Sequence, residues 1–280
     1  MDTLRLRPLA AWMGRGLATP EFAGVLEEHG YGAMWIGGAK AETERLLPLL
    51  EATDRLVIAT GIVNIWEYSA DQVAIVALQL LERHPDRFLL GIGAGHPHRH
   101  VEATRPMDAL ERYFDALDSA GVPSERVVLA ALGPKMLRLA AERSAGAHPY
   151  LTPPLHTAEA RAILGARALL IPEQRAVLST DRARVREIGG GNIANPYFTI
   201  RNYRNNLLRL GYSAAELDEV RMSVVNALVA WGEDSDIADR LRAHLDEGAD
   251  QVALQLIEPD IDRAVGYARI ARAFGALQPS

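Results

Sequence analysis

One stretch, residues 56–63, constrains the fold of this chain more than any other part of the sequence. It reads Leu-Val-Ile-Ala-Thr-Gly-Ile-Val, so every residue except one glycine is apolar or β-branched. This composition is typical of a strand that helices cover on both faces of a parallel sheet. A capping-box pattern at Ser69 and Gln72 then predicts that a helix begins directly after it. The stretch therefore predicts a strand–helix unit of a parallel α/β fold.

The same alternation of a short apolar run with a helical pattern recurs along the chain. Strands are predicted at residues 9–13, 33–36, 56–63, 87–93, 126–132, 146–151, 168–171 and 251–257. Seven or eight strand–helix units in 280 residues favour a (β/α)8 TIM barrel over an open sheet. The alternation is broken at residues 180–250, which are mostly helical and are interpreted as an insertion before the last strand. No Ser-, Gly- or Pro-rich linker divides the sequence, so residues 1–280 are expected to form one domain.

Charge and composition disfavour several classes of partner. Lys and Arg number 30 against 36 Asp and Glu, a net charge of −6, and no basic block stands out, so nucleic acid is not an expected partner. The chain has no cysteine, which excludes disulfides and thiolate metal sites. No apolar run approaches the roughly 20 residues of a membrane span, and the first residues lack the apolar core of a signal peptide. We therefore expect a cytoplasmic protein without a membrane partner.

A glycine-rich segment, Gly-Ile-Gly-Ala-Gly-His at residues 91–96, follows the fourth predicted strand. It fails as a dinucleotide-binding fingerprint because His96 stands where the third glycine belongs, and the fingerprint also belongs to the first strand–helix turn. At the carboxyl end of a barrel strand, backbone without Cβ cover favours close contact with a ligand. Three alternating histidines at 96, 98 and 100 have no carboxylate at ligand spacing nearby, so a metal site is not predicted.

Two further positions have both a structural and a functional interpretation. Gly61 interrupts a strong strand, which indicates either a β-bulge or the close approach of a flat ring system. At Leu132-Gly133-Pro134-Lys135 a strand passes into a helix whose first backbone N–H groups are free and whose second residue is basic. This turn is either an anion site or an ordinary helix start.

Four motifs together resemble a known family. They are Leu-Gly-Pro-Lys-Met-Leu at 132–137, Ala-Gly-Ala-His-Pro-Tyr at 145–150, Asn-Tyr-Arg-Asn-Asn-Leu at 202–207 and Ala-Leu-Val-Ala-Trp-Gly at 227–232. With them, the sequence from Gly30 to Gln255 resembles the bacterial luciferase-like, flavin- or deazaflavin-dependent oxidoreductases. The similarity is greatest to the coenzyme F420-dependent branch of that family.

The resemblance implies a (β/α)8 barrel whose mouth holds the cofactor ring. It implies a bulge in the third strand, with a non-prolyl cis peptide at Gly61–Ile62 that supports the ring, and a phosphate held by the turn Leu132, Gly133, Pro134 and Lys135. It also implies a homodimer. The cofactor-binding residues expected from it are Gly61, Ile62, Asn64, Gly93, Ala94, Gly95, Leu132, Gly133, Pro134, Lys135, Gly146 and Ala147.

One position departs from the family pattern. Several deazaflavin enzymes of this family carry an acidic residue or a histidine just after strand two, where this chain has Gly37-Gly38. The expected catalytic residues that exchange a proton are therefore His96 and Glu67, with His96 favoured because an ordinary histidine titrates with a pKa of about 6.5.

The expected function is F420-dependent transfer of hydride between the deazaflavin C5 and a small organic substrate. Two alternatives stay open: an FMN-dependent reductase or monooxygenase of the same fold, and a barrel that binds a cofactor without catalysis.

Overall fold

The computed structural model describes residues 6–95 and 105–276, and all its paired strands are parallel. The strands are β1 (Leu9–Gly14), β2 (Ala33–Gly37), β3 (Val57–Gly61), β4 (Val63–Asn64), β5 (Phe88–Gly93), β6 (Val127–Leu129), β7 (Gly146–Ala147), β8 (Leu169–Leu170), β9 (Glu173–Val177), β10 (Val229–Trp231) and β11 (Val252–Leu256). Neighbouring strands follow the order β11-β1-β2-β3-β5-β6-β7-β8, with β4 continuing β3 alongside β5.

A single extended segment, residues 169–177, closes this sheet into a barrel. Its first part, β8, pairs with β7, and its second part, β9, pairs with β11. Between the two parts, Ile171 donates its N–H to the carbonyl of Ala147 (2.9 Å) and Ala253 donates its N–H to the carbonyl of Pro172 (2.9 Å). The segment thus bonds to the sixth barrel strand on one side and to the last on the other. The predicted (β/α)8 barrel is confirmed.

Helices follow most of the strands, and the first six and the last two of them cover the outside of the barrel. They are α1 (Pro20–Glu28), α2 (Thr43–Glu51), α3 (Ala70–Arg83), α4 (Pro106–Ser119), α5 (Pro134–Arg143), α6 (Pro154–Leu164), α7 (Arg182–Val185), α8 (Gly191–Ala194), α9 (Arg201–Arg209), α10 (Ala214–Asp218), α11 (Met222–Leu228), α12 (Asp234–Asp246) and α13 (Arg263–Phe274). The predicted caps are confirmed: the Thr19 side chain accepts from the N–H of Phe22, and Ser69 forms a capping box with Gln72.

Alternate residues of the strands face two separate apolar layers. Outward residues such as Met34, Ile58 and Leu90 pack under the helices in a large core. Inward residues are mostly small, with Ala10, Ala33 and Ala59 among them, and a fully buried Trp35 fills the space that they leave. Barrel interiors are packed cores, and the active sites of barrel enzymes lie at the end at which the strands terminate. We call this carboxyl end the mouth.

The later part of the chain differs from the prediction in two strands. β9 was not predicted, because Glu173 and Arg175 interrupt its apolar pattern, and β10 lies within the mostly helical stretch 180–250. The stretch also has its own small core, which includes Ile193, Phe198 and Val225. In the ranges 6–95 and 105–276, no helix is long and apolar enough to cross a membrane.

Candidate functional site

The third strand is bulged at the mouth. Ala59 pairs with Leu89, and Val63 pairs with Ile92. Val63 lies four residues after Ala59, whereas Ile92 lies only three residues after Leu89, so the β3–β4 side has one extra residue. One extra residue is the definition of a β-bulge, and the Gly61–Ile62 peptide inside it is cis. Both features were predicted and both are confirmed.

Thr60 maintains the contact between the strands across the bulge. Its hydroxyl donates to the carbonyl of Gly91 (2.8 Å) and accepts from the N–H of the same residue (2.7 Å). Thr60 is fully buried, so this side chain replaces backbone pairing that the bulge interrupts.

Glycines line the mouth from β2 round to β5. We call Gly37, Gly61, Gly91 and Gly93 the glycine wall. A Cβ on Gly37 would overlap the indole ring of Trp12, and one on Gly91 would overlap the carbonyl oxygen of Thr60. A Cβ on Gly93 would lie 2.9 Å from the Cβ of Ala130. Close approach of the protein's own atoms therefore requires glycine at these positions.

Asn64 and Glu67 form a short turn above the bulge. The Asn64 side chain accepts from the N–H of Trp66 (3.1 Å) and donates to the carboxylate of Glu67 (3.2 Å). Gly95, with φ +59°, brings its backbone against the Asn64 amide, and Ala94 is half-buried between Gly93 and this turn. Glu67 is exposed. His96, the favoured proton-exchanging residue, lies outside the described residues.

The turn before α5 has the geometry of an open helix start. Gly133 is the N-cap residue and supplies no side chain to the free N–H groups, and a Cβ there would meet nothing within 4 Å. Lys135 is exposed. The buried His156 donates from Nε2 to the carbonyl of Leu132 (2.8 Å), which orients the turn from below. Pro134 occupies the first helical position, where its missing N–H costs nothing.

Gly146 and Ala147, also expected to bind cofactor, are buried in β7. The absent Cβ at Gly146 allows the backbone of Leu169 to approach closely. Both residues therefore contribute to the sheet under the mouth.

The other side of the mouth, from β7 through β9 to β1, is aromatic and charged. Tyr150 lies between Trp12 and Tyr197, with ring centroids 5.1 Å and 5.6 Å away. The guanidinium of Arg175 lies 4.7 Å from the Tyr150 ring centroid and 4.5 Å from that of Tyr197. We call Trp12, Tyr150, Tyr197 and Arg175 the aromatic cluster. Cation–π contact with two rings stabilises a charge that is completely buried.

His148 lies beneath the mouth and is held as a neutral hydrogen-bond acceptor. Its ring stacks on Trp35 with centroids 4.2 Å apart, and its Nδ1 lies 2.6 Å from the carbonyl oxygen of Ile171. Because a carbonyl only accepts, Nδ1 carries the proton and Nε2 carries a lone pair. Burial lowers the pKa of His148 to about 4, although the bond to Ile171 opposes the shift.

Two polar atoms beside Gly61 lack hydrogen-bond partners in the part of the chain that the structure describes. They are Nε1 of Trp12 and Nε2 of His148, both buried. The Cβ position of Gly61 would lie 3.1 Å from the first and 3.6 Å from the second. A buried hydrogen-bond donor, Trp12 Nε1, and a buried acceptor, His148 Nε2, therefore both lie beside Gly61 in the bulge.

Sequence reasoning did not select Trp12, His148 or Arg175 as site residues. His148 lies inside one of the family-like motifs, so that motif was the available signal for it. Trp12 lies within an ordinary apolar strand, and Arg175 lies in the strand that was not predicted, so neither had a local signal.

No protein-family model matches this sequence, and no curated protein matches it. Solved structures do match over nearly the whole chain. An F420-dependent secondary alcohol dehydrogenase in complex with an F420–acetone adduct superposes with a TM-score of 0.75 at 12% identity, covering 98% of this chain and 100% of that chain. The F420-dependent tetrahydromethanopterin reductase from Methanopyrus kandleri gives 0.67 at 14% identity, with coverages of 96% and 98%.

A flavin-dependent protein is similar to the same degree. The oxygenating constituent of the 3,6-diketocamphane monooxygenase from Pseudomonas putida, in complex with FMN, superposes with a TM-score of 0.67 at 13% identity, covering 98% of this chain and 99% of that chain. This chain therefore has the fold of F420-dependent and FMN-dependent oxidoreductases. That is the fold which the resemblance to luciferase-like enzymes implied.

Proposed function

We propose that this protein is an oxidoreductase that binds coenzyme F420 at the mouth of the barrel and acts on a small organic substrate. The observation that carries the proposal is the glycine-lined bulge at Gly61–Ile62, which lies at the mouth of a barrel with this fold. A bound deazaflavin supplies a ring that accepts or gives a hydride at C5. The protein has to bind the ring, orient the substrate and exchange the accompanying proton.

Two buried polar atoms at the mouth fit the edge of a flat heterocycle. The glycine wall lets β2 and β5 pack closely against Trp12, Thr60 and Ala130, so the strands carry no side chains of their own at these positions. Beside it, the Trp12 N–H and the His148 Nε2 are buried and without partners among the described residues. A heterocycle with carbonyl and N–H groups on one edge offers matching partners to such atoms.

We assign the phosphate of the cofactor to the turn Leu132-Gly133-Pro134-Lys135. The first N–H groups of α5 are not capped by a side chain, and the helix dipole favours an anion at this end. Lys135 adds a positive charge on the exposed side. Asn64, Gly93, Ala94 and Gly95 are proposed as further contacts of the ring.

Proton exchange is assigned to His96, with Glu67 as the second candidate. Neither Gly37 nor Gly38 carries the acidic residue or histidine that several related enzymes have at this place, and Trp12 fills the space beside Gly37. The proton must therefore come from another element, and the turn after β4 lies at the mouth, where β5 also ends. Glu67 is exposed there and bonded to Asn64.

FMN is the second candidate cofactor, because an FMN-binding monooxygenase matches the fold as well as an F420-dependent reductase does. Parallel equilibrium titration of the protein with F420 and with FMN tests the proposal. We expect F420 to bind more tightly than FMN, and absorbance spectra of the saturated protein to identify the bound ring.

Tighter binding of FMN than of F420 would mean that FMN is the cofactor. Binding of neither cofactor would contradict it. Hydride transfer from the reduced cofactor to a panel of small carbonyl acceptors then separates an enzyme from a barrel that only binds. A homodimer and a small-molecule substrate belong to the same proposal, and light scattering tests the first.

A further inference from the structure

Arg175 is a completely buried cation with unused hydrogen-bonding capacity. Its Nε donates to the carboxylate of Glu173 (3.3 Å), and its Nη1 donates to the side-chain oxygen of Asn192 (2.9 Å). Its Nη2 has no hydrogen-bond partner among the residues described, and the side chain has no exposed surface. An unpaired donor on a buried charge is costly, so such a group is expected to have a partner in the functional state.

Glu173 does not supply that partner. One of its oxygens accepts from Arg175 Nε, and the other accepts from the N–H of Leu151 (3.0 Å). Burial raises the pKa of Glu173 above its ordinary value, although Arg175 opposes this shift. Each carboxylate oxygen thus accepts one hydrogen bond, and neither accepts one from Nη2 of Arg175.

The groups around Arg175 separate it from the mouth by one layer. Tyr150 and Tyr197 contact the guanidinium, and their hydroxyl groups lie 3.0 Å apart. Tyr150 also donates to Gln255 (3.1 Å). Tyr150, Tyr197 and Gln255 are all half-buried, so a ligand that displaces a tyrosine side chain reaches the guanidinium from the mouth.

We propose that Arg175 is an oxyanion-binding residue of the mouth, with Nη2 donating to a carboxylate or phosphate oxygen of the bound ligand. A guanidinium presents its donors in a planar fork that matches these groups. The oxyanion is a carboxylate of the substrate, because the cofactor phosphate is assigned to the turn before α5, and binding of that phosphate by Arg175 is an alternative that the test distinguishes. The choice of these two ligands rests on the proposed function, whereas oxyanion binding by Arg175 does not.

Calorimetric titration of the full-length protein tests this site with defined probes. FMN is compared with riboflavin, and F420 with the phosphate-free deazariboflavin, because each pair differs by a phosphate-bearing side chain. Acetate, benzoate and inorganic phosphate test simple oxyanions. The variants are Arg175→Gln and Asn192→Asp. The second keeps Arg175 and its Nη1 partner but adds a negative charge that repels an incoming anion.

Each variant has a matched control. Arg161→Gln removes a partly buried arginine whose Nε, Nη1 and Nη2 all have partners, including Asp250. Asn226→Asp adds a charge to a different helix of the insertion, where the side chain binds Trp231 instead of Arg175. Melting curves show which variants fold. If Arg175→Gln does not fold, the half-buried Asn192→Asp decides the test.

We expect both variants to weaken binding of the oxyanion probe about tenfold or more, since hydrogen bonds to charged groups are strong. If affinity is lost only for FMN and F420, and is unchanged for riboflavin and deazariboflavin, the oxyanion that Arg175 binds is the cofactor phosphate. If affinity is lost only for the carboxylates, the oxyanion belongs to the substrate. Unchanged affinity for every probe in a folded variant overturns the site. If wild type binds neither cofactor yet Arg175-dependent carboxylate binding persists, the proposed function fails and the oxyanion site stands.

Discussion

The indole ring of Trp12 occupies the space that a side chain on Gly37 would need. A Cβ built on Gly37 would overlap the Cζ2 and Cη2 atoms of Trp12. The same indole places its Nε1 atom beside Gly61 and its ring against Tyr150. Trp12 therefore links the glycine wall to the aromatic cluster, and it explains why the last residue of β2 has no side chain.

We predict that Gly37→Ala destabilises the protein by about 1–3 kcal/mol, because the new methyl group overpacks against the Trp12 ring. The control is Gly14→Ala, because Gly14 pairs with Gly37 at the end of β1 and a Cβ there would meet nothing within 4 Å. Chemical denaturation measures both. The Trp12→Phe/Gly37→Ala double variant should be less destabilised than the sum of the single changes, and strict additivity would contradict this explanation.

Thr60 offers a separate test of the bulge. Thr60→Val has nearly the same shape but leaves the N–H and the carbonyl of Gly91 without the hydroxyl, and buried unpaired groups cost about 1–3 kcal/mol. Thr60→Ser keeps the hydroxyl and should retain most of the stability. Denaturant midpoints compare the two variants. Destabilisation by Thr60→Ser as large as that by Thr60→Val would contradict this account, because only the serine variant keeps the hydroxyl.

Stability is expected to fall on acidification because His148 is buried as the neutral form. Its pKa is about 4 in the folded protein, against 6.5 as the ordinary value. Between these two pH values the unfolded chain binds more protons, so folding loses stability as the pH falls from about 6.5 through about 4. The size of the shift corresponds to roughly 3 kcal/mol for this residue.

His148→Asn tests this account, because the asparagine amide can still donate to the carbonyl of Ile171. The variant should have a flatter dependence of unfolding free energy on pH across that window. Burial also lowers the pKa of His244 to about 3, so some dependence remains. A slope identical to that of the wild type would exclude His148 as the cause.

The phosphate assignment predicts a selective effect of Lys135→Gln. We expect affinity for F420 to fall roughly three- to tenfold at low salt, with a smaller loss at high salt, because an exposed charge is screened. Affinity for phosphate-free deazariboflavin should not change. Arg138→Gln, on the same helix but one turn further from its start, is the control. An equal loss of affinity for F420 and for deazariboflavin would mean that Lys135 contacts the ring and not the phosphate.

The proton assignment predicts different effects of two substitutions. His96→Ala should slow turnover while leaving F420 affinity nearly unchanged, since the proposed phosphate contacts lie in the turn before α5. Glu67→Gln keeps the bond to Asn64 and should have little effect if His96 is the proton-exchanging residue. Steady-state rates and equilibrium titration measure the two quantities. Loss of cofactor binding in His96→Ala would make His96 a binding residue.

Local patterns were sufficient for most of the fold. The capping residues at Thr19 and Ser69 and the β-branched stretch at residues 56–63 act through near neighbours in the sequence, so they identify elements without knowledge of the packing. The glycine within that stretch indicated the bulge. Strand β9 was not predicted, because its inward side chains include Glu173 and Arg175. Their partners are brought together only when the barrel closes, so the sequence shows no apolar pattern there.

The amino-acid sequence by itself determined the alternation of strands and helices, and with it the barrel class, because backbone preferences and apolar periodicity are local properties. Only the tertiary structure decided how residues 169–177 close the barrel, how Trp12 fills the space beside Gly37, and how Arg175 is held between Tyr150 and Tyr197. These contacts join residues that lie tens of positions apart in the chain. Their energies depend on distance, burial and ring orientation, which exist only once the strands have assembled around one axis.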